Sequence, residues 1–72
     1  MLRFDAKALY RALDERRASL DLTWKEVAAQ MGVSVSTLTR TRLGGRLEVD
    51  GALTMVSWLG RTVESFAREV AE

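Results

Sequence analysis

Three consecutive residues, Gly32-Val33-Ser34, limit the folds open to this chain more than any other feature. Glycine takes positive φ cheaply and stops a helix, whereas serine accepts from free first-turn amides and starts one. With a stop and a start one residue apart, the helices on either side join through a tight turn, which fixes the angle between them. The second helix should run from Trp24 to Met31, capped by Thr23 with Glu26 at the capping-box position, and face inward through Val27, Ala28 and Met31. The third should run from Val35 to about Leu43 and end at Gly44-Gly45.

The flanking sequence supplies further helices. Asp5 can cap a first helix from Ala6 to Ala18, with Phe4 and Leu9 spaced as a hydrophobic staple and a stripe of Ala6, Leu9, Ala12 and Leu13 continued by the Arg16 stem. A fourth helix fits 49–59, with Val49, Ala52, Leu53, Val56 and Leu59 on its inner arc and Gly60 as its stop. Thr62 can cap a fifth over 63–71, where Val63, Phe66, Ala67 and Val70 have the spacing i, i+3, i+4, i+7. Alternation of the strand type is confined to the triplets Leu22–Trp24 and Leu47–Val49, too short for a sheet. The expectation is one compact, all-α, five-helix domain over residues 1–72.

Cysteine and histidine are both absent, which removes thiolate chemistry and the commonest general base and metal ligand. Asp14 and Glu15 have no ligand-spaced companions and read as solvated charge, so neither an enzyme nor a cofactor or metal site is expected. No apolar run exceeds three residues, against the roughly 20 of a membrane span, and no signal region opens the chain. A soluble protein in a reducing, cytoplasmic setting is expected.

Net charge is only +1, but it is distributed unevenly. Residues 1–32 carry +1 and residues 48–72 carry −3, while residues 33–47 hold Arg40, Arg42 and Arg46 with no acid, a basic island of +3 that coincides with the third helix and the loop after it.

The run from Thr23 to Arg40, TWKEVAAQMGVSVSTLTR, resembles the helix-turn-helix of the phage repressor and Cro family, the xenobiotic-response-element-like regulators. Ala28 is small where the helices cross, Gly32 makes the turn, and Val27, Met31, Val33 and Leu38 supply the shared hydrophobic contact. A preceding helix at the family distance and a closing pair around Val56–Phe66 extend the resemblance over nearly the whole chain. It implies a lambda-repressor-like domain whose third helix enters the major groove of double-stranded DNA. Base contacts would come from Val35, Ser36, Thr39 and Arg40, with Arg40 able to pair bidentately with guanine. Phosphate contacts would fall to Thr23, Trp24, Lys25, Ser34, Thr37, Arg42, Arg46 and the backbone near Gly44.

Three positions depart from the family pattern: Trp24 stands where a glutamine commonly contacts phosphate, Arg42 replaces a usual glutamate, and Thr41 occupies a usually aliphatic site. A core-facing Thr41 hydroxyl needs a carbonyl partner or costs stability. One recognition helix with one good bidentate side chain reads few bases, so a homodimer on a palindromic operator is expected, paired through Trp58, Phe66 and Val70 of the acidic C-terminal third. The function implied is a small transcriptional repressor. The same apolar C-terminal stripe also suits a protein-interaction module, such as an antitoxin or anti-repressor, for which DNA binding is secondary.

Overall fold

The computed structural model describes residues 1–71. The chain is compact and mostly helical: α1 (Ala6–Ser19), α2 (Trp24–Met31), α3 (Val35–Leu43) and α4 (Val49–Leu59), with a 3-10 turn at Val63–Phe66. Two three-residue strands, β1 (Leu2–Phe4) and β2 (Ala67–Glu69), pair antiparallel and close the ends of the chain on each other.

α1, α2 and α3 each start where a local side chain satisfies the first-turn amides. The Asp5 carboxylate accepts from the Ala8 amide at 3.0 Å and opens α1. Thr23 and Glu26 form a reciprocal capping box on α2, Thr23 Oγ1 accepting from the Glu26 amide at 3.1 Å and Glu26 Oε1 from the Thr23 amide at 2.9 Å. Gly32, at φ 72°, ends α2, its amide and that of Val33 both donating to the Ala28 carbonyl. Ser34 Oγ then accepts from the Thr37 amide at 3.1 Å to open α3.

α1 is the spine of the core and packs against both α3 and α4. Its Leu9 and Leu13 meet Val27, Ala28 and Met31 of α2, Leu38 of α3, and Met55 and Val56 of α4, with Phe66 closing the cluster. Thr41 is the one polar residue in this core among the described residues. Its hydroxyl donates to the Thr37 carbonyl at 2.8 Å, with Met55 Sδ at 3.8 Å, so the partner its position demands lies one turn back on its own helix. That carbonyl also receives the α-helical amide bond, so removing the hydroxyl orphans nothing. Thr41→Val should therefore change unfolding stability by less than about 1 kcal/mol in a urea titration.

The C-terminal segment corrects the five-helix, all-α expectation. Val63–Phe66 makes a single 3-10 turn and the chain then extends, with Leu2 opposite Glu69, Arg3 opposite Arg68 and Phe4 opposite Ala67. A nine-residue isolated helix is marginal on its own, whereas an extended Ala67–Glu69 provides the ladder partner that Leu2–Phe4 otherwise lacks. Tertiary pairing outweighs helical periodicity here. Of the proposed stripe only Phe66 is buried, its ring 6.1 Å from that of Phe4, while Val63 and Ala67 are exposed.

The inner arc of α4 is corrected as well. Met55 and Val56 are its buried residues, flanked by half-buried Ala52 and Leu59, whereas Val49 is 73 % exposed and Leu53 47 % exposed. The sets 49, 52, 53, 56 and 52, 55, 56, 59 satisfy the same helical spacing, so periodicity alone does not choose between them. Packing on α1 selects the second and leaves Val49 and Leu53 without core partners.

Candidate functional site

α3 divides cleanly into two faces. Leu38 and Thr41 point into the core, and the residues between and around them, Val35, Ser36, Thr39 and Arg40, are exposed. These four recur at i, i+1, i+4 and i+5, which places them on one side of the helix. Val35 is 55 % exposed, high for an aliphatic residue at the start of a helix, and no other element covers it. The Thr39 hydroxyl donates to the Val35 carbonyl at 3.2 Å, so toward solvent it offers acceptor lone pairs. Ser36 makes no side-chain hydrogen bond among the described residues.

The surrounding positions fall into two groups. Ser34 and Thr37 are tied to each other, their hydroxyl oxygens 3.0 Å apart and Ser34 Oγ also accepting the Thr37 amide, so both hold the start of α3 in place. Arg40, Arg42, Arg46 and Lys25 are exposed and join none of the ion pairs among the described residues. The contrast with the other arginines is informative. Arg17 is bonded to Asp14 at 2.8 Å and lies over Trp24, Arg16 donates to the Trp58 carbonyl and lies over its ring, and Arg61 lies over Phe66. Arg3, Lys7 and Arg11 of β1 and α1 are likewise exposed and outside these ion pairs, so what sets α3 and the loop after it apart is three uncommitted arginines with no acid between them in sequence. Arg40 and Arg42 also sit in the last turn of α3, where a positive charge complements the helix dipole by roughly 0.3–1 kcal/mol each.

A cleft of about 230 Å³ lies between the α2–α3 turn and the start of α4, lined by Ser34, Thr37, Arg40, Leu47, Glu48 and Gly51 among others. α4 begins at Glu48 without a side-chain cap bond, so its first amides are open on that side. Arg40 and these amides favour an anion, while the Glu48 carboxylate on the same wall opposes one.

Trp24 is a packing residue as well as a surface one. Its ring stacks on Tyr10 with centroids 4.8 Å apart and an interplanar angle of 18°, joining α2 to α1. Thr23 is committed to the capping box, and Gly44, at φ 76°, ends α3. The Glu26 carboxylate of that box is held below the ordinary glutamate range, chiefly by the Thr23 amide it accepts from and then by the Thr23 hydroxyl. A lowered folded-state pKa contributes stability above the unfolded value and loses it as pH falls through the folded one. The start of α2 should accordingly loosen only in acid, below the usual glutamate range. The protection of the Val27 amide against exchange, corrected for the intrinsic rate at each pH, would show this, and Glu26→Gln would remove the acid-dependent fall in protection.

The residues proposed for self-association are not one surface. Phe66 is 3 % exposed and belongs to the core. Trp58 is half-buried, its indole N–H donating to Gln30 Oε1 at 3.2 Å beneath the Arg16 guanidinium. The Val70 amide donates to the Met1 carbonyl at 2.9 Å, tying that residue to the start of the chain. The Gln30 and Arg16 partners of Trp58 lie 28 and 42 residues away in sequence, and no local pattern announces them.

No helix among the described residues is long and apolar enough to cross a membrane, and no group of three acidic side chains is placed to hold a metal ion. No protein-family model, curated protein or solved structure matches the chain.

Proposed function

We propose that the chain is a sequence-specific double-stranded DNA-binding transcriptional regulator, a small cytoplasmic repressor of the lambda-repressor-like helix-turn-helix type. The observation that carries this reading is the outer face of α3: Val35, Ser36, Thr39 and Arg40 lie uncovered beside Arg42 and Arg46, and no acid among the described residues pairs with any of these arginines. A helix presented this way fits the major groove with its first turns on the base edges. Arg40 would read guanine O6 and N7, Val35 a thymine methyl, and Thr39 would accept from an exocyclic amine, since its proton is already given to Val35. Lys25, Arg42, Arg46 and the indole N–H of Trp24 would fix the register on phosphates.

So few readable side chains favour two copies on a palindrome. Phe66 is buried, so a homodimer would have to form through other surfaces than the full Trp58–Phe66–Val70 set. Selection of bound sites from a random duplex pool tests the proposal. Enrichment of a palindrome with half-sites about one helical turn apart is expected, and no enrichment would reject it. A second reading, a protein-interaction module, is favoured by the exposed aliphatic residues of α4. Salt separates the two, since phosphate binding weakens steeply with added salt and an apolar protein contact does not.

A further inference from the structure

The side of the molecule occupied by β1 and the first half of α4 carries an open groove of about 420 Å³ that shares only Gly44 and Arg46 with the proposed DNA contacts. Its floor and far wall are Ala52, Leu53, Val49 and Val63, three of them exposed aliphatics with no core partner. Gly44 and Gly45 leave one wall without side chains, and Arg3 and Arg46 stand on its rim. Among the described residues no acidic side chain lines it.

The groove follows a strand edge. Arg3 and Phe4 both line it, yet neighbouring strand residues point to opposite faces, so a surface touched by both meets β1 along its edge. That edge is the one away from β2, none of whose residues line the groove. The ladder fixes which backbone groups are free there. The Asp5 amide donates to the Phe66 carbonyl and the Val70 amide to the Met1 carbonyl, so odd-numbered residues of β1 bond toward β2. The amides and carbonyls of Leu2 and Phe4 therefore point away from β2, those of Phe4 at the groove and those of Leu2 on the same edge beside it, and neither residue makes another backbone bond among the described residues.

We infer that this groove is a docking site for an extended segment of a partner protein in which aliphatic residues are mixed with aspartate or glutamate. The segment adds a strand to β1 through Leu2 and Phe4, places aliphatic side chains against Leu53, Val49 and Val63, and sets its carboxylates beside Arg3 and Arg46. Charge selects this occupant. A second copy joined through the same edge brings Arg3 and Arg46 of both chains together across a wall that, among the described residues, has no acid to separate them.

Random linear peptides of about ten residues, displayed and selected on the full-length protein, test the inference. The expected winners are rich in acidic and aliphatic residues, and the bound peptide should shift the backbone amides of Leu2–Phe4 and Gly45–Leu47. Leu53→Lys should weaken it about tenfold or more by removing an apolar wall, whereas Arg40→Ala should leave it unchanged. Val63→Lys is the second variant should Leu53→Lys not fold. No enrichment, winners without acidic residues, or peptides released by Arg40→Ala but not by Leu53→Lys would each overturn the site. So would a concentration-dependent self-association abolished by Leu53→Lys, which would make a second copy the occupant. Neither groove variant touches the outer face of α3, so DNA binding measured in parallel stands or fails separately.

Discussion

Arg40→Ala is expected to weaken binding to the selected DNA site by roughly 1–3 kcal/mol, about five- to 150-fold, and to relax base preference at one pair in each half-site. The size follows from what the other three outward residues can do. Val35 offers only an apolar contact, Ser36 one hydroxyl, and Thr39 one acceptor whose proton is already committed to the Val35 carbonyl. Arg40 alone presents a rigid two-donor fork, and its guanidinium enters none of the ion pairs among the described residues. Little fold stability is lost with it, because an exposed arginine in the last turn of α3 contributes only a dipole term below about 1 kcal/mol. Binding isotherms on the selected duplex and on duplexes changed at each position would measure both effects. Affinity lost equally at every sequence would make Arg40 a phosphate contact instead.

The largest effect on the fold is expected from Leu13→Ala, which should cost about 2–5 kcal/mol in a urea titration. Leu13 is 0 % exposed and lies on α1, the helix that packs against both α3 and α4, so the cavity opens where three helices meet. A chain of this length has about 4–11 kcal/mol in total at ~0.05–0.15 per residue. One truncation thus removes a large part of what holds α3 in position, and DNA affinity should fall with the folded fraction although Leu13 is buried and makes none of the proposed contacts. An unchanged denaturant slope with a lowered midpoint would identify this as lost stability.

The parts of the fold most legible in the sequence are those whose end groups are satisfied locally. Thr23 with Glu26, Gly32, and Ser34 with Thr37 bond within a few residues, and α2 and α3 begin and end where those residues place them. Tertiary choices are less legible. The segment after Thr62 has helical spacing but is drawn into a strand by Leu2–Phe4, more than 60 residues away, and its Phe66 is taken into the core rather than left for a dimer. On α4 two overlapping arcs fit one period, and only contact with α1 assigns Met55 inward and Val49 and Leu53 outward. The Thr41 hydroxyl finds its partner within its own helix, a solution residue type alone does not specify. The outer face of α3 was legible because it is the complement of Leu38 and Thr41 on a short helix. The groove beside β1 was not, because it depends on both tertiary choices at once.

The outer face of α3 is the surface we propose to meet DNA. Titrating a duplex carrying the selected site into isotopically labelled protein, and following every backbone amide, tests it most directly. The largest shifts are expected over Val35–Arg40, with smaller ones at Trp24–Glu26 and Arg42–Arg46 and none at Leu53 or Val63. Shifts centred on Leu53, Val63 and β1, or no shifts at all, would contradict it.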